Sequence, residues 1–232
     1  MSFNRWSRII ALFAFTCFAG AASAQTTKSP DGLVQIKPRK MEMAWLLPGA
    51  DFRRYTKVII DRTQVAFEQN WLEDYNLNAQ LGENVSPELA AKILGAAQTN
   101  FDGILRDAFA KAGYQVVTTT GPDVLRVNSA ILHLMLNAPR GETGPEISWV
   151  LTAGQAALIV EVRDTVSNAL LGRVADERET QDLGLRQIAT DSRTLSDFRQ
   201  LFSLWAGICV RALGELKSIS PVPKNLTPNQ SL

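Results

Sequence analysis

The chain has 232 residues, with 24 Lys and Arg against 23 Asp and Glu, one His and two Cys, and 46% of it is apolar. A charge balance this close to neutral offers no field that would draw nucleic acid or an anionic membrane surface, while the apolar share is ample for a buried core. One histidine and two cysteines argue against a zinc site and against a disulfide framework.

At the start, Arg5 and Arg8 precede an apolar run over residues 9–18, and small residues ending in Ala22-Ser23-Ala24 follow. These are the charged, apolar and cleavage regions of a secretory signal peptide. The run is about half of the roughly 20 residues that a transmembrane helix needs, so residues 1–24 are expected to be removed, leaving Gln25 first and no membrane-spanning helix in the mature chain. Cys17 follows Phe15 and Thr16 and lacks the Leu-(Ala/Ser)-(Gly/Ala)-Cys box of a lipoprotein, so a soluble periplasmic or secreted product is expected. Cys209 is then the single remaining cysteine and no internal disulfide can form.

Residues 25–40, polar with Pro30 and Pro38, read as a flexible segment, and residues 220–232, with Pro221, Pro223 and Pro228, read as a proline-rich tail. Between them, residues 41–219 form one expected domain. Its first strand is expected over 57–67, carried by Val58, Ile59, Ile60, Val65 and Phe67, with Asp61 and Arg62 marking a twist or bulge. A polar stretch with Trp71, Tyr75 and Leu77 follows. Ser86-Pro87-Glu88 then supplies a capping hydroxyl, a first-turn proline and a first-turn acid, so a helix begins there. Leu89, Ile93, Ala97, Phe101, Ile104, Leu105, Ala108 and Ala112 give it one apolar stripe, and Gly113 ends it.

A short strand over 114–119 follows directly, so strand, helix and strand make a crossover expected to be right-handed, with parallel strands. Residues 124–136 predict a long strand with Leu132, Leu134 and Leu136 on one face and Ile131, His133 and Met135 on the other. After a Pro/Gly loop at 138–144, strands over 155–164 and 169–178 form a hairpin about the polar turn 165–168, where Asn168 suits a left-handed backbone. Thr194 and Asp197 form a capping box for a last helix over 195–216, whose stripe runs through Phe198, Leu201, Phe202, Trp205, Ile208, Cys209, Ala212, Leu213 and Leu216. The fold expected is therefore α/β: a mixed parallel and antiparallel sheet with one crossover helix and a C-terminal helix packed on it.

Two blocks, Asp51-Phe52-Arg53-Arg54-Tyr55-Thr56-Lys57-Val58-Ile59-Ile60-Asp61 and Ala157-Leu158-Ile159-Val160-Glu161-Val162-Arg163-Asp164, resemble the best-marked blocks of an uncharacterised bacterial family, domain of unknown function 3313. Ala112-Gly113-Tyr114 and Asp123-Val124-Leu125-Arg126 extend the resemblance, which covers most of residues 32–216. Members of that family are commonly lipoproteins, whereas this chain lacks the lipid box, and Arg62 stands where the family pattern has proline. The resemblance implies no activity.

Chemistry is sparse in the sequence. A serine hydrolase would need a base, and His133 is the only histidine, with no Gly-x-Ser-x-Gly elbow anywhere; it reads as a structural or surface strand residue. Cys209 lies on an apolar stripe, where a thiol behaves as a small hydrophobe. Asp176, Glu177, Glu179 and Asp182, among Arg173, Arg178 and Arg186, read as a solvated edge with ion pairs, because a hard-cation loop needs alternating oxygen ligands and a turning glycine. The glycines around Arg140 lack the Gly-Lys-Ser/Thr ending of a phosphate loop. Arg140 and Trp149, beside that loop, are the candidate partner contacts. No cofactor or metal is expected. The function expected is a non-catalytic envelope protein that binds or assembles with another envelope protein; the alternative is a small-molecule binder or hydrolase in which Asp61, Glu161 and Asp164 converge in space.

Overall fold

The computed structural model describes residues 29, 31–79, 84–135, 155–179 and 194–232. Among them, one mixed sheet of nine strands carries three helices. The chain order is β1 (Val34–Lys37), β2 (Met43–Leu46), β3 (Lys57–Ile60), β4 (Gln64–Phe67), α1 (Trp71–Asn78), α2 (Pro87–Lys111), β5 (Gln115–Val116), β6 (Val124–Leu134), β7 (Gln155–Asp164), β8 (Leu170–Glu179), α3 (Thr194–Ile219) and β9 (Gln230–Ser231). Across the sheet the order is β5-β3-β6-β7-β8-β2-β1-β9, with β4 also paired to β6. The parallel part joins β3, β4 and β5 to their neighbours, and the antiparallel part runs from β6 through β7, β8, β2 and β1. This is the α/β class that the sequence predicts.

The expected strand over 57–67 is two strands, both parallel to β6, and the break has a chemical cause. Thr63 turns inward, fully buried, and gives its amide to Asp102 Oδ1 of α2 at 3.0 Å and its hydroxyl to the same oxygen at 2.6 Å. Its hydroxyl also meets Ser129 Oγ at 2.7 Å, and Gln98 of α2 donates to its carbonyl. A backbone amide spent on a helix side chain is lost to the ladder, so pairing stops and restarts one residue later.

The alternation predicted for the long strand fails at His133. Ile131 and Leu134 are both buried, whereas strict alternation puts them on opposite faces. His133 has φ 53°, and Val65 and Phe67 of β4 face Ile131 and Leu134, so β6 carries one extra residue, a bulge that returns Leu134 to the core. Leu136 lies outside the described residues.

Capping of α2 follows the sequence, while the side chains of the Thr194 and Asp197 box lie outside the described residues. Ser86 Oγ accepts from the Leu89 amide at 3.3 Å, Pro87 opens α2, and Gly113, at φ 87°, ends it. Phe101, Leu105 and Phe109 are buried on α2, while Ala112, placed on the stripe by its spacing, is exposed at the cap. The strand expected over 114–119 shortens to Gln115–Val116, since only those residues pair with β3.

Four parts of the architecture exceed the sequence reading, one of them β2, which pairs with both β1 and β8. The polar stretch holds the two-turn helix α1, where Trp71 stacks on Phe67 at 4.3 Å. The N-terminal segment contributes β1 at 34–37, and the proline-rich tail contributes β9, which lies parallel to β1. Val222 and Leu226 of that tail are buried, so apolar burial and ladder bonds order a segment whose composition suggests disorder.

Candidate functional site at the loop end of the sheet

Of the residues singled out by sequence, Arg140, Trp149, the 138–144 loop, Asp182 and Arg186 lie outside the described residues. Each of the three carboxylates of the hydrolase alternative is paired with arginine. Asp61 faces Arg126 at 3.9 Å, and Glu161 sits between Arg163 at 2.9 Å and Arg173 at 2.6 Å. Asp164 lies three positions beyond Glu161, on the other face of β7. Asp176 corrects the expectation of a solvated edge: it is 4% exposed and accepts from Trp205 Nε1 at 2.7 Å, Arg178 Nε at 2.5 Å and the Glu42 amide at 3.0 Å. His133 pairs with Glu68 beside the bulge. Cys209 is on the core side of α3, where burial, and then the charge of Asp176, push its thiol up to about 12, so it stays protonated. Among the described residues, no group of three His, Cys, Asp or Glu could hold a metal ion.

The connections converge at one end of the sheet. β3 and β6 begin there, β7 ends there and β8 begins there, because β3 is parallel and β7 antiparallel to β6. The segment 51–57 is the hub. The Phe52 amide donates to Ser220 Oγ at 3.0 Å, just past α3. Tyr55 Oη and Arg54 Nη2 donate to Asp164 Oδ2 at 2.8 and 2.5 Å. The Thr56 amide donates to the Asp123 carbonyl at 3.1 Å, and Lys57 Nζ pairs with the Asp123 carboxylate at 3.0 Å. The Gln115 amide donates to the Thr56 carbonyl at 3.2 Å. Thus the two blocks that carry the family resemblance meet physically, through Tyr55, Arg54 and Asp164.

Asp164 also closes the β7–β8 turn, its Oδ1 accepting from the Val166 and Ser167 amides at 3.1 and 2.7 Å and from Ser167 Oγ at 2.8 Å. Burial alone would raise its pKa, but the Ser167 amide, the Tyr55 and Ser167 hydroxyls and the Arg54 charge more than offset it and hold the carboxyl at about 2. Burial, with the neighbouring carboxylate, pushes Tyr55 up to about 12. Its hydrogen bonds from Arg53 hold Asp51 at about 2. A general acid or base near neutrality needs a pKa near the working pH, and these groups are held far from it. An open hollow of about 550 Å3, lined by Lys57, Gln115, Val117, Thr119 and Asp123, lies beside the hub. The sequence carried a signal for the hub in the charged and aromatic run Asp51-Phe52-Arg53-Arg54-Tyr55 between apolar elements, but not the identity of its partners.

Residues 24–207 match the family described as Protein of unknown function (DUF3313). Among solved structures, the chain is similar to the PelC dodecamer from Paraburkholderia phytofirmans, at 12% identity over 71% of this chain and 95% of that one, with a TM-score of 0.36. It is also similar to protein XCC0632 from Xanthomonas campestris, at 11% identity over 79% of this chain and 94% of that one, with a TM-score of 0.39. No curated protein matches it.

Proposed function

This chain belongs to the DUF3313 family, whose function is unknown, and we propose that it is an exported protein of the bacterial cell envelope that works by binding or assembly rather than catalysis. The observation that carries the reading is the pairing of its ionisable groups. Among the described residues, Asp51, Asp61, Asp123, Glu161, Asp164 and Asp176 each hold a cation of the same chain, which builds a rigid framework of ion pairs in place of a cluster of free carboxylates. Export is supported by the charged, apolar and small-residue order of residues 1–24. No helix among the described residues is long and apolar enough to cross a membrane.

The test is expression in a Gram-negative host, followed by fractionation, intact mass measurement and cross-linked capture from the envelope. An envelope fraction whose mass places Gln25 first, with a stoichiometric protein partner, is the expected result. A cytoplasmic protein retaining residues 1–24, or turnover of small esters that Glu161→Gln abolishes, overturns it.

A further inference from the structure

We propose that the loop end of the sheet is a docking surface for an anionic phospholipid bilayer. The overall charge balance conceals the local one. Segments 49–57, 111–124, 164–168 and 217–224, all gathered at this end, carry Arg53, Arg54, Lys57, Lys111, Lys217 and Lys224 against only Asp51, Asp123 and Asp164. Those three carboxylates are each matched within the cluster, by Arg53, Lys57 and Arg54. Three lysines are left over in these segments: Lys111 and Lys224 are exposed, while Lys217 lies over the Tyr114 ring at 4.6 Å with Glu215 two positions before it, and Asp31, ahead of β1 at the same end, is paired with Arg173.

Exposed apolar side chains coincide with that surplus. Val166 is 68% exposed at the tip of the β7–β8 turn, Val116 37% on the edge strand β5, and Ile219 38% at the last position of α3. Each is tied to the hub by a neighbour. Thr165, beside Val166, donates its hydroxyl to the Gly121 carbonyl at 2.8 Å; Gln115, beside Val116, bonds Thr56; and Ser220, beside Ile219, bonds Phe52. Leu77, the other large apolar side chain exposed among the described residues, lies on α1, beyond the far end of β4.

Exposed apolar side chains on a rigid base, with exposed Lys111 and Lys224 at the same end, match the interfacial region of an anionic bilayer, where acyl boundary and phosphate lie a few ångströms apart. Three small apolar groups give shallow, reversible attachment that depends on lipid charge. β1 enters the sheet at the same end, its Val34 pairing with Leu46 just before the hub, so the described chain rises into the fold from the side that would face the lipid. This goes beyond the envelope reading and does not depend on how residues 1–24 are processed.

The test is co-sedimentation of the protein, purified as the cell delivers it, with phosphatidylcholine vesicles and with vesicles of phosphatidylcholine mixed with phosphatidylglycerol. Binding is expected on the mixed vesicles, weakening as salt rises. Lys111→Gln and Lys224→Gln should each lower the partition coefficient about fivefold. Val166→Asp should also lower it, and Lys92→Gln, near the opposite end of α2, should leave it unchanged, with equal melting temperatures showing that each variant folds. Failure to bind, equal binding to the uncharged vesicles, or a loss with Lys92→Gln as large as with Lys111→Gln overturns the proposal. None of these results would alter the processed mass or the captured partner, so the two readings fail separately.

Discussion

Asp164 concentrates more of the fold's logic than any other residue described. One oxygen closes the β7–β8 turn and the other holds the hub through Tyr55 and Arg54. The pH dependence follows with definite signs. The carboxyl is depressed from 3.8 to about 2 on folding, so its contribution is complete above 3.8 and is lost as pH falls toward 2. Tyr55 is raised from 10.0 to about 12, so its contribution is complete below 10.0 and is lost as pH rises toward 12. Chemical denaturation across pH should show both limbs, with Asp164→Asn reducing the acid one and Tyr55→Phe the alkaline one, while Asp51 and Tyr114 keep part of each. At neutral pH, Asp164→Asn should lower stability by about 1–3 kcal/mol, as expected when buried donors lose a charged acceptor. A variant as stable as the parent at pH 7 would show that the turn closes without it. Sequence placed this aspartate at a strand end but gave it to a hypothetical acid cluster, because a strand's periodicity says which face a side chain takes and not what stands opposite.

Among the elements, α3 contributes most visibly to the core. Trp205 is fully buried, Phe202 lies edge-on to Phe101 of α2 at 5.3 Å, and Trp205 Nε1 reaches Asp176 on β8. The apolar stripe was legible in the sequence, since a period of 3.6 over two dozen residues is a strong signal. The polar tooth in it was not. Trp205→Ala should cost about 3–5 kcal/mol, from lost burial and the cavity left behind. Trp205→Phe keeps most of the apolar area but leaves Asp176 without its indole donor, and should cost about 1–3 kcal/mol. Melting both variants beside the parent separates packing from hydrogen bonding. Equal stability of the parent and Trp205→Ala would contradict the placement of α3 on the sheet. The shorter elements, β1, β2, β9 and α1, escaped the sequence reading because runs of two to eight residues carry too few periods to stand above composition, and β4 split from β3 because a single threonine prefers Asp102 to the ladder.

For the whole molecule, sequence conveyed the class, the hairpin and the two long helices, while the hub needed three dimensions, because its parts come from four separated segments. Net charge is an average over the chain and carries no information on how the charges are distributed in space. The last strand offers a direct check on the assembled sheet. Truncation after Lys224 removes β9 and the buried Leu226, and should lower stability by about 1.5–3 kcal/mol, roughly the value of burying one leucine. An unchanged melting temperature would mean that β1 needs no outer neighbour. The adjacency of β1 and β9 also sets the timing of folding. Ile36 cannot meet Gln230 until nearly all the intervening chain has been made and arranged, which is the most non-local pairing in the sheet. A chain delivered amino end first must therefore carry β1 with one edge bare, open to other strands, until its final partner arrives.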